Sequence, residues 1–193
     1  MLISISHLSK SYGGLAVLND LSLDLIPGNF YCLMSPSGSG KTTLFRILLG
    51  LERADSGQIK GLDGLKISAV FQEDRLCQEF TAVDNTAMVL PSHSPLKRQD
   101  IKRELSRILP EESLSRPVST LSGGMKRRAA IGRALLVPFH MLIMDEPFTG
   151  LDEDSKKNVI SYIKEKTSNK LVLISTHTPE DVSLLGGIPI TLS

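Results

Sequence analysis

The sequence has few cysteines, almost no net charge and no long apolar run, and each absence excludes a class of protein. Its two cysteines form no metal-binding spacing, so reduced thiols are expected. A formal charge of +1 and a hydrophobic fraction of 41% argue against a disordered chain and against a strongly basic nucleic-acid binder. The longest apolar stretch, residues 134–144, is broken by Pro138 and His140 and is too short to cross a bilayer. With 193 residues the chain can bury one core, and we expect a soluble, cytosolic protein that contacts a membrane only through a partner.

Three further segments exclude other classes. Residues 1–6 alternate like a strand and lack the charged start and long apolar core of a signal peptide. Two basic runs, residues 97–103 and 126–128, lie on predicted helices, and no aromatic residues are interleaved with them as single-strand binding would favour. We therefore expect both runs to be solvated surface and expect no nucleic-acid partner.

A glycine-rich segment, residues 35–43, follows the strand-like run 30–34 and opens into the helix-like run 44–49. Its glycines allow backbone N–H groups to surround phosphate oxygens, and the positive end of the following helix points at the same charge. Lys41 would contact the β- and γ-phosphates, and the Thr42 hydroxyl would bind Mg²⁺. The alternative is a glycine-rich turn with a chance lysine, since a serine replaces the first glycine of the usual pattern. The residues predicted to bind the nucleotide here are Ser35, Pro36, Ser37, Gly38, Ser39, Gly40, Lys41, Thr42 and Thr43.

A second segment, residues 141–146, is a continuous apolar run that ends in two acids. This pattern predicts a strand buried on both faces of a parallel sheet, with its carboxylates at the edge where ligands of open α/β sheets bind. Asp145 would hold Mg²⁺ directly or through water, and Glu146 would polarise the water that attacks the γ-phosphate. The alternative is an acidic turn after a core strand.

A third segment, residues 121–125 with the sequence Leu-Ser-Gly-Gly-Met, repeats the anion-binding pattern at another predicted helix start, ahead of residues 126–136. Here the chain resembles the nucleotide-binding subunits of ATP-binding-cassette (ABC) proteins, whose signature is usually Leu-Ser-Gly-Gly-Gln. The resemblance implies that the signature of one subunit covers the γ-phosphate held by the phosphate loop of the other. Taken alone, the segment is also compatible with a serine cap before an ordinary helix. The signature residues, with methionine in the last place, are Leu121, Ser122, Gly123, Gly124 and Met125.

The resemblance extends over the whole chain and implies roles for four more residues. Tyr12 matches the aromatic residue that stacks on adenine, and Gln72 matches the glutamine that links the metal site to the transport partner. Asp152 lies in a segment similar to the loop that crosses the dimer interface, and His177 matches the histidine that contacts the γ-phosphate. The expected catalytic residues are thus Glu146, His177 and Gln72, and the expected Mg²⁺ ligands are Thr42, Gln72 and Asp145. The other histidines are expected to be structural or solvent-facing.

The order of patterns predicts an α/β fold: a P-loop NTPase core with a parallel sheet, an N-terminal antiparallel β subdomain and a helical insertion. We expect a single ABC ATPase domain over 1–193, with its α/β core at 1–72 and 137–193 and a helical subdomain at about 73–136. Predicted helices cover residues 83–90, 97–109, 126–136, 154–166 and 179–185.

Within the family, residues 71–76 and 81–85 are similar to importer ATPases for nitrate, sulfonate and taurine. The resemblance implies an ATP- and Mg²⁺-dependent dimer, formed with a second copy or a paralogue and peripheral to the cell membrane. Its further partners would be a polytopic permease and an extracytoplasmic solute-binding protein. The apolar residues expected to line a groove for the permease are Leu76, Phe80, Val83 and Met88. The alternative is that these side chains only pack the small core of the helical insertion.

Two alternatives remain open at this point. One is an ABC ATPase that acts on ribosomes or DNA, although such proteins usually carry two cassettes or a long coiled-coil insertion. The other is a catalytically silent nucleotide sensor, which the departures at Ser35 and Met125 suggest and the intact Glu146 and His177 oppose.

Overall fold

A hairpin begins the chain in the computed structural model, which describes residues 2–36 and 38–192. Strands β1 (Ile3–Tyr12) and β2 (Leu15–Leu25) pair antiparallel, and the two residues between them, Gly13 and Gly14, take φ angles of 55° and 85°. Glycine adopts this region without steric cost, which permits the two-residue turn. Strand β4 (Ser56–Lys60) adds to the other edge of β1, so the sheet has the order β2-β1-β4.

The second sheet is parallel throughout, with the order β5-β6-β7-β3-β8. Its central strands are continuous apolar runs and are fully buried, because layers of the protein cover both faces. Because the strands are parallel, all of them end at the same edge of the sheet. The strands are β3 (Phe30–Leu33), β5 (Ile67–Val70), β6 (Met141–Asp145), β7 (Leu171–Ser175) and β8 (Ile188–Ile190).

Six α-helices occur in the described residues. Three of them, α4, α5 and α6, contribute to an apolar cluster on one face of the parallel sheet, while α1 and the antiparallel sheet pack in a second cluster. The third cluster draws only on residues 76–136, together with partly buried neighbours from the same range. The helices are α1 (Lys41–Leu48), α2 (Ala82–Ala87), α3 (Arg98–Leu105), α4 (Gly123–Leu136), α5 (Glu153–Lys166) and α6 (Pro179–Leu185).

The predicted α/β class and its two sheets are confirmed, while two helices are shorter than predicted. Helix α2 gives way to turns in which the N–H groups of residues 89 and 90 bond the carbonyls three residues earlier, and residues 107 and 108 do the same after α3. Such tighter turns end a helix even where the apolar spacing continues.

The subdomain boundaries stay a prediction. No helix in the described part of the chain is long and apolar enough to cross a membrane.

Candidate nucleotide site

The glycine-rich loop lies between β3 and α1, at the edge where the parallel strands end. Gly38 and Gly40 take φ angles of 82° and 91°, a region that other residues rarely adopt. A Cβ atom on Gly40 would also lie 2.5 Å from the backbone oxygen of Val17, so β2 approaches the loop too closely for any side chain there. The loop geometry thus requires glycine at position 40. Ser37 lies outside the described residues.

Lys41 begins α1 and is only 7% exposed. Its Nζ donates to the carbonyl oxygens of Ser35 and Pro36, the latter at 2.8 Å. Both acceptors are neutral backbone carbonyl oxygens rather than carboxylates. The loop therefore holds a positive charge that is not neutralised by the protein, which suits a bound anion.

Ser35 takes the place of the usual first glycine without strain, since its φ is not positive. Its buried hydroxyl oxygen accepts a hydrogen bond from the backbone N–H of Leu192 at 2.6 Å and donates to the Leu192 carbonyl at 3.3 Å. These two hydrogen bonds link the start of the loop to the segment that follows β8.

Thr42 and Asp145 meet at the end of β6, where the Thr42 hydroxyl donates to Asp145 Oδ2 at 2.9 Å. The other carboxylate oxygen accepts from the Ser175 hydroxyl at 2.6 Å, because β7 places Ser175 directly beside Asp145. A hydroxyl oxygen and a carboxylate oxygen that converge in this way are ligands that Mg²⁺ prefers, so the residues present fit the ion.

Glu146 follows Asp145 and has a φ of 47°. A positive φ is uncommon for a residue with a side chain and marks local strain, which often occurs at functional positions. The backbone N–H of Glu146 donates to Ser175 Oγ at 2.8 Å, and its carboxylate lies 2.8 Å from the Nε2 atom of His177. The strained backbone thus directs the second acid away from the Asp145 cluster and towards the histidine.

A cleft of about 460 Å³ is lined by the glycine-rich loop, Asp145 and Glu146, and its volume is typical of small-molecule sites. Tyr12 lies at its rim with its side chain 45% exposed, and Lys10 Nζ lies 5.2 Å from the centre of its ring. The Ser39 hydroxyl is buried and has no hydrogen-bond partner among the described residues. The residues that line the cleft are Tyr12, Leu15, Val17, Gly38, Gly40, Lys41, Thr42, Thr43, Gln72, Asp145 and Glu146.

The signature residues do not line this cleft. Ser122 caps α4, with its hydroxyl accepting from the Met125 N–H at 3.2 Å, and Gly124 approaches the backbone oxygen of Gly150. Asp152 caps α5 by accepting from the Ser155 N–H at 2.9 Å, and this hydrogen bond lowers the pKa of its carboxyl. The signature and the segment before α5 therefore form a second, separate surface of the same chain.

Sequence reasoning missed a buried group beside His177. The Thr176 hydroxyl donates to Asp181 Oδ2 at 2.6 Å, and Lys156 Nζ lies 3.3 Å from the other carboxylate oxygen. It also missed Ser175, although this residue ends β7 next to the strand that carries Asp145, and the same strand-end logic applies to both. Among the remaining histidines, the exposed His140 accepts a hydrogen bond from the Lys66 N–H at 2.9 Å, which is a structural contact.

Comparison with known proteins gives a consistent result. Residues 18–149 match the family described as ABC transporter. The chain is 39% identical over 181 residues to the sulfate/thiosulfate import ATP-binding protein CysA of Escherichia coli (strain K12), and to that of Salmonella typhi, covering 86% of this chain and 50% of each relative. It therefore spans about half the length of these relatives. The solved dimeric structure of MJ0796, described as a bacterial ABC transporter cassette, superposes with a TM-score of 0.85 at 26% identity, covering 98% of this chain and 94% of that one.

Proposed function

The chain belongs to the ABC transporter family, and on this premise we propose that it is the ATP-hydrolysing subunit of a small-solute importer. The observation that carries the proposal is the convergence of an unneutralised lysine, a threonine–aspartate pair and a strained glutamate on one cleft. The names of the relatives, which are import ATP-binding proteins, favour import as the direction.

In the proposed reaction, Lys41 and the backbone N–H groups of the loop neutralise and orient the phosphates, while Tyr12 supplies a flat surface for the base. Thr42 and Asp145 would hold Mg²⁺, with Gln72 as a further ligand, and the ion when bound neutralises charge on the β- and γ-phosphates. Because phosphoryl transfer depends mainly on positioning and charge neutralisation, these contacts account for most of the expected catalysis.

Glu146 is the proposed general base. Its hydrogen bond with His177 fixes the carboxylate, so the acceptor oxygen does not need to reorganise when it takes a proton from water. His177 lines a smaller pocket next to the cleft, and Glu146 belongs to both; from there His177 is proposed to contact the γ-phosphate.

The separation of the signature from the cleft supports a head-to-tail dimer. In one chain, the start of α4, where Ser122, Gly123 and Gly124 lie, does not line the cleft of the phosphate loop. A second copy or a paralogue, turned by half a revolution, would place those backbone donors over the nucleotide and complete two composite sites. The solved structure that superposes on this chain is itself described as dimeric.

Binding of ATP tests the proposal directly. Lys41→Ala should lower the affinity for ATP with Mg²⁺ in calorimetric titration and reduce phosphate release, because the charge that faces the phosphates is lost. Lys60→Ala, which removes an exposed lysine of β4, serves as the control and should change neither quantity. If Lys41→Ala binds and hydrolyses ATP like the parent, the phosphate-loop assignment is refuted. Binding by the parent without turnover would favour a nucleotide sensor.

A surface groove of about 360 Å³ is the proposed docking site for a permease helix at the cytoplasmic side of the membrane. Of the four residues predicted to line a groove, Leu76 and Val83 are instead buried in the cluster of residues 76–136, because their side chains pack that subdomain's own core. Phe80 and Met88 are exposed. The apolar residues that line the observed groove are Leu49, Leu51, Ile67, Ala69, Phe71, Val89, Ala134 and Val137.

Co-purification with the permease tests this surface. Leu51 is 52% exposed, so Leu51→Asp adds a charge to the groove without disturbing the core, and it should abolish assembly while ATP hydrolysis by the isolated chain persists. Ile26→Asp is the matched control, since Ile26 is 54% exposed and lies outside the groove. If both variants assemble like the parent, this groove is not the docking site.

A further inference from the structure

Two arginines of α4 hold the segment that carries Gln72. Arg127 donates from Nη1 to the carbonyl oxygen of Phe71 at 2.6 Å and from Nη2 to that of Gln72. Arg133 donates to the carbonyl oxygens of Asp74 and Arg75 at 3.0 and 2.7 Å. Residues 71–75 lie outside every helix and strand, so these carbonyls have no ladder partners and depend on α4 instead.

Arg127 is not the solvated surface residue that the basic run 126–128 predicted, since it is only 8% exposed. Its guanidinium also lies 3.3 Å from Asp74 Oδ1, an atom that is buried without a hydrogen-bond partner among the described residues. Burial raises the pKa of the Asp74 carboxyl, and Arg127 acts in the opposite direction. Burying both charges costs free energy that the Coulomb attraction and further hydrogen bonds must offset, so this ion pair is weak evidence of a gain in stability.

We propose that Arg127 is a positioning residue that couples Gln72 to the signature helix. Arg127 lies in α4 shortly after the signature, and its planar fork binds two successive carbonyls of the Gln72 segment. A displacement of α4 therefore moves Gln72 with it. The inference rests on the proposed function through the role given to Gln72.

The first test needs no nucleotide and so stands apart from the ATPase proposal. Arg127→Met removes every donor while keeping a long apolar side chain, and Arg127→Lys keeps the charge but not the fork. Amide hydrogen exchange of residues 71–75 in the nucleotide-free protein should accelerate by about tenfold or more in Arg127→Met, and by less in Arg127→Lys. Unchanged exchange in both variants overturns the proposal.

The control is Arg107→Met. The Arg107 side chain also links distant parts of the chain, since its Nη1 donates to Glu165 of α5 at 2.8 Å. It makes no contact of this kind with residues 71–75. This variant loses a two-donor arginine contact at a more exposed place and should leave exchange in 71–75 at the parental rate. If it accelerates exchange there as much as Arg127→Met does, the effect is general destabilisation and the proposal is overturned.

The second test measures ATP hydrolysis. If Arg127 acts through Gln72, Arg127→Met should lower kcat with little change in KM for ATP. The double variant with Gln72→Ala should then be no slower than Gln72→Ala alone, within about twofold. Independent, multiplying losses in kcat would show a merely structural role and overturn the proposal. A parent without ATPase activity would refute the proposed function, and the exchange measurement would still decide the role of Arg127.

Discussion

Replacing Glu146 by glutamine tests the proposed general base, because the two side chains have the same shape and only the carboxylate accepts a proton readily. General bases contribute about 10²- to 10⁴-fold to a rate, which corresponds to about 3–5 kcal/mol of activation free energy. Glu146→Gln should therefore lower kcat for ATP hydrolysis within that range or beyond. ATP should still bind, and the ATP-dependent dimer should persist in gel filtration because hydrolysis no longer ends it.

The stability change should be much smaller than the kinetic change. The side chains of His177 and Glu146 are 44% and 24% exposed, so solvent screens their interaction and its loss costs at most about 1 kcal/mol. The strain of the positive φ is the same in both proteins, since glutamine and glutamate branch alike. Urea unfolding of the nucleotide-free proteins should thus give nearly equal midpoints.

Phosphate release at saturating ATP, measured beside urea unfolding, separates the two effects. Glu180→Gln is the control, because it removes the same charge from an exposed residue at the start of α6 and should leave the rate unchanged. A Glu146→Gln rate within about threefold of the parent, less than 1 kcal/mol, would refute the assignment of Glu146 as the base.

Three further outcomes are expected. Gly40→Ala should lower the free energy of unfolding more than Gly38→Ala does. Both positions have positive φ, but only a Cβ at position 40 would lie 2.5 Å from a backbone oxygen, and equal urea midpoints would contradict this. A thiol reagent at pH 8 should modify the exposed Cys77 quickly and Cys32 only after unfolding. Cys32 is buried, and burial raises its pKa to about 11, so two rapidly reacting thiols in the native protein would contradict this. Met125→Gln should change kcat by less than about tenfold, because the backbone of the signature supplies its main donors; a larger increase would mark the natural chain as a weakened ATPase.

The fold and the phosphate loop could be predicted because their signals are local. A continuous apolar run followed by two acids is sufficient to predict β6 and to place Asp145 at the edge of the sheet. The glycine loop is equally readable, since it combines a strand, positive-φ residues and a helix start within a short stretch. The family match confirms the resemblance drawn from these segments, whereas the individual roles of the site residues stay predictions.

The burial of Arg127 could not be predicted in this way, because it depends on a partner far along the chain. Arg127 is 56 residues from Phe71, whose carbonyl it binds, and its neighbours in sequence are also basic. A local charge pattern carries no information about such a contact, so a run of three basic residues was interpreted as solvated surface. The same reason explains Leu76 and Val83, whose apolar side chains suit a docking groove and a subdomain core equally well.

The two departures from the family pattern have structural explanations within one chain that leave the geometry of the cleft intact. Ser35 binds Leu192 behind the phosphate loop with its hydroxyl, so it replaces glycine at a position where no positive φ is required. Met125 packs its side chain against the apolar cluster of residues 76–136, while its N–H is satisfied by the Ser122 cap. Within one chain, both side chains thus contact the scaffold rather than the cleft. Since Lys41, Thr42 and Asp145 keep their convergent geometry, neither departure supports a silent sensor over an active ATPase.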